Sequence, residues 1–407
     1  MRKLSLLLAA VLAVTTTFSA FAEGTADAPV YTTDYNSMAE AQKAAETLTA
    51  EIAAEGSTLL KNENKALPLA SNAWISVFGV TEQGMEGNGA SENVDVTLSG
   101  ALADAGFNVN PALRSYYQAN YAVAGNNSSV GSGNSNIGKE DTTFNAQVVN
   151  SFKIYNDAAI VVFSRTGAEG SDAKRVTTEK AGVNMLGEND ADSHVALYTD
   201  DEGNTYKHYL MLTDSERELL KMVEENFETV IVLLNTSNYI ETDELKNDEN
   251  IDAIMSIGRP GAGGLNGVAK LLNGSISPSG ALVDEWYSGL TGGAGSNTYM
   301  DEDGVGGAAG CLYISDGEGF HGIDYEEGIY NGYRFYETYY TDLYNYLVAN
   351  PDATATIRGV EYKGTDIAQA WFDRYVAYPF GFGLSYTSFT FKQGGIFTDA
   401  ACTTPLT

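Results

Sequence analysis

Apolar and polar positions follow two different periods along the first two thirds of this chain. Ala158 to Phe163 is a short, β-branched run that is apolar on both faces, as expected of a fully buried strand in a parallel sheet. Trp74 to Val80, Thr229 to Leu234 and Ile251 to Ile257 read as companion strands, with a shorter one at Phe107 to Val109. Helical spacing fills the gaps between them. It runs from Ser37 to Ala54, stopped by Gly56, around Val96 to Ala105, and from Leu265 to Leu272. Another helix, Asp214 to Asn226, opens with the capping pattern Thr213-x-x-Glu216. Ser57 to Glu63 reads as a linking segment, and the Asn/Ser/Gly tract Gly125 to Gly138 as a surface excursion. Strand alternating with helix at this spacing predicts an α/β fold, a parallel-type sheet with helices on both faces. Beyond Pro278, Gly, Tyr and acidic residues dominate through Tyr340, which predicts long irregular loops. An alternating segment begins at Phe389-Thr390-Phe391.

The 407 residues allow two domains or one large α/β unit. A formal net charge of -31 argues against nucleic acid, whose phosphates it would repel, and against an anionic membrane surface; a neutral ligand suits it. Met1-Arg2-Lys3, an apolar stretch from Leu4 to Val14 and the end Ser19-Ala20-Phe21-Ala22 form a secretory signal peptide, with cleavage expected after Ala22. The expected localisation is therefore secreted, extracellular or periplasmic. That stretch is too short for a membrane span, and no other segment approaches the length needed. Cys311 and Cys402 give no disulfide framework; one bridge or two free thiols are the options.

The segment after the Ala158–Phe163 strand carries the most chemistry. In Ser164-Arg165-Thr166-Gly167-Ala168-Glu169-Gly170-Ser171-Asp172, Glu169 stands between glycines that let the backbone turn and present one carboxylate. Loops at the carboxyl ends of such strands form the ligand crevice of open α/β sheets. A solvated loop glutamate is the bland alternative. Gly84 to Ser91 follows a strand and precedes a helix, yet its glycines lie too far beyond the strand for a dinucleotide loop, and the ribose-binding acid is missing. The acidic turns Asp301-Glu302-Asp303-Gly304 and Thr199 to Gly203 lack calcium-loop spacing. His194, His208 and His321 are too scattered for zinc, and no G-x-S-x-G elbow occurs. The 25 tyrosines suit sugar rings as well as ordinary packing.

Several segments together resemble the carboxy-terminal region of glycoside hydrolase family 3, of the β-glucosidase type. Glu55-Gly56-Ser57-Thr58-Leu59-Leu60-Lys61-Asn62-Glu63 through Leu67-Pro68-Leu69 is similar to the family's "E-G-x-x-L-L-K-N-x…L-P-L". Arg259-Pro260-Gly261-Ala262-Gly263-Gly264 through Ser277-Pro278-Ser279-Gly280 resembles its "P-G-x-x-G-G…P-S-G". Tyr325 to Arg334 and Tyr378 to Thr387 complete the set in the family's order. The resemblance implies a six-stranded α/β sandwich over 37–390 and hydrolysis of β-glucosides or related β-glycosides. The acid/base loop "S-R-x-x-G-E-G-x-D-R" falls on Ser164 to Arg175, so Glu169 inherits the acid/base role, with Ala168 and Ala173 as departures. Arg165 and Asp172 are implied as loop-orienting groups on the substrate side, and Ser91, one place from the family's serine, as a sugar contact. No metal and no organic cofactor is implied.

Family members carry a nucleophilic aspartate in an "S-D-W" segment of a TIM barrel. Nothing here matches it: Asp284-Glu285-Trp286 directly follows the Pro-Ser-Gly turn and belongs to the sandwich. The expectation is a reversed-order enzyme, with a signal peptide (1–22), a leader (23–36), the sandwich (37–390) and the start of a following β domain or a truncated end (391–407). Its partners would be a β-linked oligosaccharide or glucoside and a TIM barrel bearing the nucleophile. A non-catalytic sugar-binding or scaffold module is the alternative.

Overall fold

The computed structural model describes residues 34–82, 96–121, 140–165, 210–236, 239–288, 311–315, 321–325, 329–330, 332–390, 394–398, 401 and 403–404. The chain falls into two units, Met1–Ala45 and Glu46–Thr407. The first is described from Asp34 and carries the start of helix α1 (Met38–Gly56), where Glu40 accepts from the Asn36 amide at 2.8 Å.

The second unit continues with β1 (Thr58–Asn62), β2 (Trp74–Phe78), α2 (Leu98–Asp104), β3 (Asn108–Val109), α3 (Pro111–Tyr121), α4 (Ala146–Ser151) and β4 (Ala158–Arg165). Then come α5 (Asp214–Glu224), β5 (Val230–Thr236), α6 (Asp243–Asn247), β6 (Ala253–Ser256), α7 (Gly261–Leu272), β7 (Trp286–Tyr287), β8 (Cys311–Ser315) and β9 (His321–Tyr325). The described elements end with α8 (Tyr333–Ala349), β10 (Thr354–Ile357), β11 (Val360–Lys363), α9 (Asp366–Tyr375) and β12 (Val376–Tyr378).

Six strands form one sheet in the order β1-β6-β5-β4-β2-β3, parallel except for β1, which runs antiparallel to β6. The period of two sorts each strand's side chains between two cores. Phe78, Ala159, Val161, Phe163, Val230 and Val232 face one core, with Leu113, Val148 and Leu219 from α3, α4 and α5. Ile75, Val77, Ile160, Val162, Ile231 and Leu233 face the other, with Ala54, Leu102 and Leu265 from α1, α2 and α7. Every residue of β4 and β5 is buried, at about 1.5–3 kcal/mol for each large aliphatic side chain. The capping box at α5 is formed: Glu216 N donates to Thr213 Oγ1 and Thr213 N donates to Glu216 Oε2.

Two expectations are corrected. The Ser57–Glu63 segment is an edge strand, not a linker. The charge of Lys61 masks it in the sequence, yet its ammonium is buried against the carbonyls of Lys246 (3.1 Å) and Asp248 (2.7 Å). Among the described residues, the region beyond Pro278 holds two helices and three antiparallel strand pairs as well as loops. Helix α8, the β10–β11 hairpin and α9 surround a small core of Leu347, Ile367 and Ala368. Phe389 and Thr390 carry no strand, and Phe391 lies outside the described residues. Among the described residues no helix is long and apolar enough to cross a membrane.

Candidate active-site edge of the sheet

The chain leaves β2 for β3 on one side, then returns to lay β4 on the other side of β2. This reversal is a topological switch point, and open α/β sheets bind ligands in the crevice outside the carboxyl ends of the strands there. In the sequence, the segment leaving β2 leads to Gly84–Ser91 and the one leaving β4 to Glu169. Ser91, Glu169 and Asp172 lie outside the described residues, whereas the ends from which their segments depart are described.

Those ends are bound to one another by a line of hydrogen bonds running across the sheet. Ser164 Oγ, at the end of β4, bonds at 3.0 Å both to Thr81 Oγ1 beyond β2 and to Asn235 Oδ1 on β5. Asn235 Nδ2 donates to Gly258 O beyond β6 at 2.7 Å. All three side chains are buried. Beside Thr81, the buried Glu82 accepts from Ser99 N at 2.8 Å, in the first turn of α2.

Beneath this line lies an ion pair. Arg165 and Glu216 are each 1% exposed and meet in a fork: Nη1 donates to Oε1 and Nη2 to Oε2, both at 2.7 Å. Nη1 also donates to Ser164 O at 2.7 Å and Nη2 to Met211 O at 2.6 Å. Arg165 thus ties the end of β4 to the segment leading into α5, and Glu216 serves both this pair and its own helix cap. A planar guanidinium suits such a site because it meets a carboxylate with two parallel bonds. Glu140 completes the cluster, accepting from Val80 N at 2.9 Å. Burial, then the charge of Glu216, holds its carboxyl well above the ordinary range, against the opposing pull of Val80 N and Arg165. Glu216 is the carboxylate that meets Arg165 directly.

Of the residues singled out in the sequence, Arg165 is placed in this cluster, with its guanidinium turned onto protein atoms. Glu82 and Glu140 were not singled out. Glu140 closes an Asn/Ser/Gly tract with no pattern around it, and only the return of the chain across β2 brings it to Arg165. Thr213-x-x-Glu216 announced a cap, not an arginine partner. Asp284-Glu285-Trp286 leads into β7, in the sandwich. Among the described residues no three His, Cys, Asp or Glu side chains are grouped to hold a metal ion. Among the described residues, two surface clefts of about 330 and 460 Å³ are lined by α9 with the β10–β11 hairpin and by α3 with α4.

Residues 57–386 match the family described as "Glycosyl hydrolase family 3 C-terminal domain". Beta-glucosidase A of Butyrivibrio fibrisolvens is 28% identical over 361 residues, covering 85% of this chain and 35% of that protein. A beta-glucosidase of Ruminococcus albus is 28% identical over 359 residues, covering 86% and 29%. The chain therefore spans about a third of the length of these relatives. Among solved structures, beta-glucosidase 3B from Thermotoga neapolitana in complex with glucose aligns with a TM-score of 0.54 at 22% identity, covering 86% of this chain and 39% of that one. A beta-glucosidase from Paenibacillus barengoltzii gives 0.52 at 23%, covering 87% and 31%. At these identities the structural likeness speaks for the fold. With the motifs in order and four fifths of its length matched, the chain belongs to glycosyl hydrolase family 3, through the family's C-terminal domain.

Proposed function

We propose that this chain supplies the acid/base half of an exported, retaining β-glucosidase-like active site, acting on β-glucosides or related β-glycosides. The observation that carries the reading is the switch point: the segment bearing Glu169 leaves the sheet beside the one bearing Ser91, from strand ends joined through Ser164 and Thr81. Retaining glycosidases use two carboxyl groups roughly 5–5.5 Å apart, one as nucleophile and one as acid and then base. In this reading Glu169 protonates the leaving oxygen and later deprotonates water. Asp172 and Arg165 orient its loop, Arg165 from its buried seat on Glu216, and Ser91 meets the sugar. The nucleophile comes from a TIM barrel in the longer protein, as the family resemblance implies.

The test is Glu169→Ala in the longer protein. A proton donor matters most for poor leaving groups and contributes about 10²–10⁴-fold. Cleavage of a cellobiose-like substrate should fall by that factor. A dinitrophenyl glucoside, whose phenolate leaves unaided, should still form the glycosyl-enzyme, and azide should restore its turnover. Equal losses on both substrates with no azide rescue would leave Glu169 a structural loop residue.

A further inference from the structure

Glu285 is 2% exposed, and among the described residues neither carboxylate oxygen has a hydrogen-bond partner. A buried carboxylate without a partner is costly, so a group in this position resists ionisation. Its neighbours in sequence make the position consequential. Asp284 Oδ1 accepts from Tyr333 N at 3.4 Å, at the start of α8, and also from Glu285 N at 2.9 Å. It lies so near Gly332, at φ 54°, that a Cβ there would come within 2.9 Å of it. On the other side of Glu285, Trp286 and Tyr287 pair with Tyr378 and Val376 of β12, and Ser288 N donates to Tyr375 O at 3.0 Å, at the end of α9. The five-residue segment Asp284–Ser288 therefore holds both ends of the α8–hairpin–α9 excursion, and its second residue is a buried acid.

We propose that Glu285 is a pH-sensitive latch. While its carboxyl is neutral, the Asp284–Ser288 segment clamps the two ends of the excursion over residues 332–378; ionisation favours their release. Among the described residues, the surroundings offer no compensating charge. The charges acting on Glu285 are Asp284 from its own segment and Glu337 from α8, both negative. Lys246 of α6 is committed elsewhere, with Nζ 2.5 Å from Ala377 O and 5.0 Å from the centroid of the Tyr378 ring. Tyr239, which packs its ring on Trp286, and Tyr378 of β12 are both pushed above the usual tyrosine range by burial and neighbouring negative charge, so both stay neutral.

Burial first, then Asp284 and Glu337, raises the Glu285 carboxyl from 4.5 to about 8. A folded-state value above the unfolded one stabilises the clamp fully below about 4.5, and this contribution is lost as pH rises to about 8, beyond which it stays lost. Within that window the opening equilibrium rises by up to about tenfold per pH unit.

Hydrogen exchange of the wild-type chain and of Glu285→Gln, compared at pH 5.5 and at pH 7.5, tests the proposal, because intrinsic exchange rates cancel at each pH. The ratio of wild-type to variant exchange for amides in 332–378 should grow by about ten- to a hundredfold between the two. The amides of β4 and β5 should show no such change. A ratio that is constant with pH, or that changes equally in the sheet, overturns the latch. Should the variant fail to fold, exchange of the wild type alone decides: relative to intrinsic rates, exchange in 332–378 should rise against that of β4 and β5 between pH 5.5 and 7.5, and a constant ratio refutes the proposal. None of this depends on the glycosidase reading.

Discussion

Removing both members of the Arg165–Glu216 pair should cost far less than the sum of removing each alone. Each group is 1% exposed, so a single deletion strands a charge with almost no access to water. Breaking a buried pair from one side costs about 3–5 kcal/mol. Glu216→Ala also removes the acceptor of Thr213 N, adding about 0.5–1 kcal/mol for the lost arm of the capping box. The expected total is about 4 kcal/mol. Arg165→Met leaves the capping box intact and should cost about 3 kcal/mol. In Arg165→Met/Glu216→Leu no charge is stranded; Ser164 O and Met211 O lose their donors, about 1–3 kcal/mol, and Thr213 N its acceptor, about 0.5–1 kcal/mol more. The double variant should therefore cost about 1.5–4 kcal/mol, less than the two single ones together, with a coupling of at least about 3 kcal/mol.

Glu140 adds a sharper expectation. Burial first, then the charge of Glu216, holds its carboxyl well above the ordinary range. Glu216→Gln removes that charge while keeping an acceptor for Thr213 N, so Glu140 should ionise in its place and answer Arg165. Glu216→Gln should then cost about half as much as Glu216→Ala, and Glu140→Gln added to it should restore the full loss. The assay is urea unfolding at pH 7 for the two single variants, the double and the Gln series, read as midpoint shifts at constant slope. Additive single variants, or Glu216→Gln as damaging as Glu216→Ala, would refute the reasoning.

Gly280 approaches β1 so closely that an added Cβ would sit 2.3 Å from Ser57 O, so Gly280→Ala should lower the melting temperature through an overpacking cost of about 1–3 kcal/mol. Gly56→Ala, where nothing lies within 4 Å, is the control and should be neutral or slightly stabilising in a thermal melt. The charged start, apolar core and Ala20-Phe21-Ala22 end lead us to expect a mature chain beginning at Glu23; amino-terminal sequencing of secreted material that begins at Met1 would refute export by cleavage.

The sheet was legible because β4 and β5 are buried on both faces, and continuous β-branched runs have few other homes. The Thr213–Glu216 cap was legible because capping is local chemistry. Strand β1 was not. Thr-Leu-Leu-Lys-Asn pairs with residues almost two hundred positions away, and its lysine finds carbonyls contributed by α6 and the turn after it. Helix α8 was hidden for a related reason. Its six tyrosines are indifferent helix formers, and what holds several of them is Trp371 of α9, whose ring centroid lies 4.3 Å from that of Tyr339 and 5.9 Å from that of Tyr336.

At the sheet edge the same division separates motif from mechanism. Gly264 was visible as part of a glycine-rich pattern and Gly267 was not singled out, but the reason for both is α1. A Cβ on Gly264 would come within 2.8 Å of Ala53 Cβ, and one on Gly267 within 2.0 Å of Ala50 O. Arg165 was visible as a neighbour of Glu169, but its partner sits 51 positions on, and Glu140 lies 25 positions back. No local pattern encodes that triad. It exists because the chain reverses direction across the sheet between β3 and β4, bringing the ends of β2 and β4 side by side. The reversal that opens the crevice is therefore also what assembles its buried charge cluster. Weakening that cluster should loosen the strand ends before it disturbs the sheet, because Ser164, Thr81 and Asn235 stand between the two.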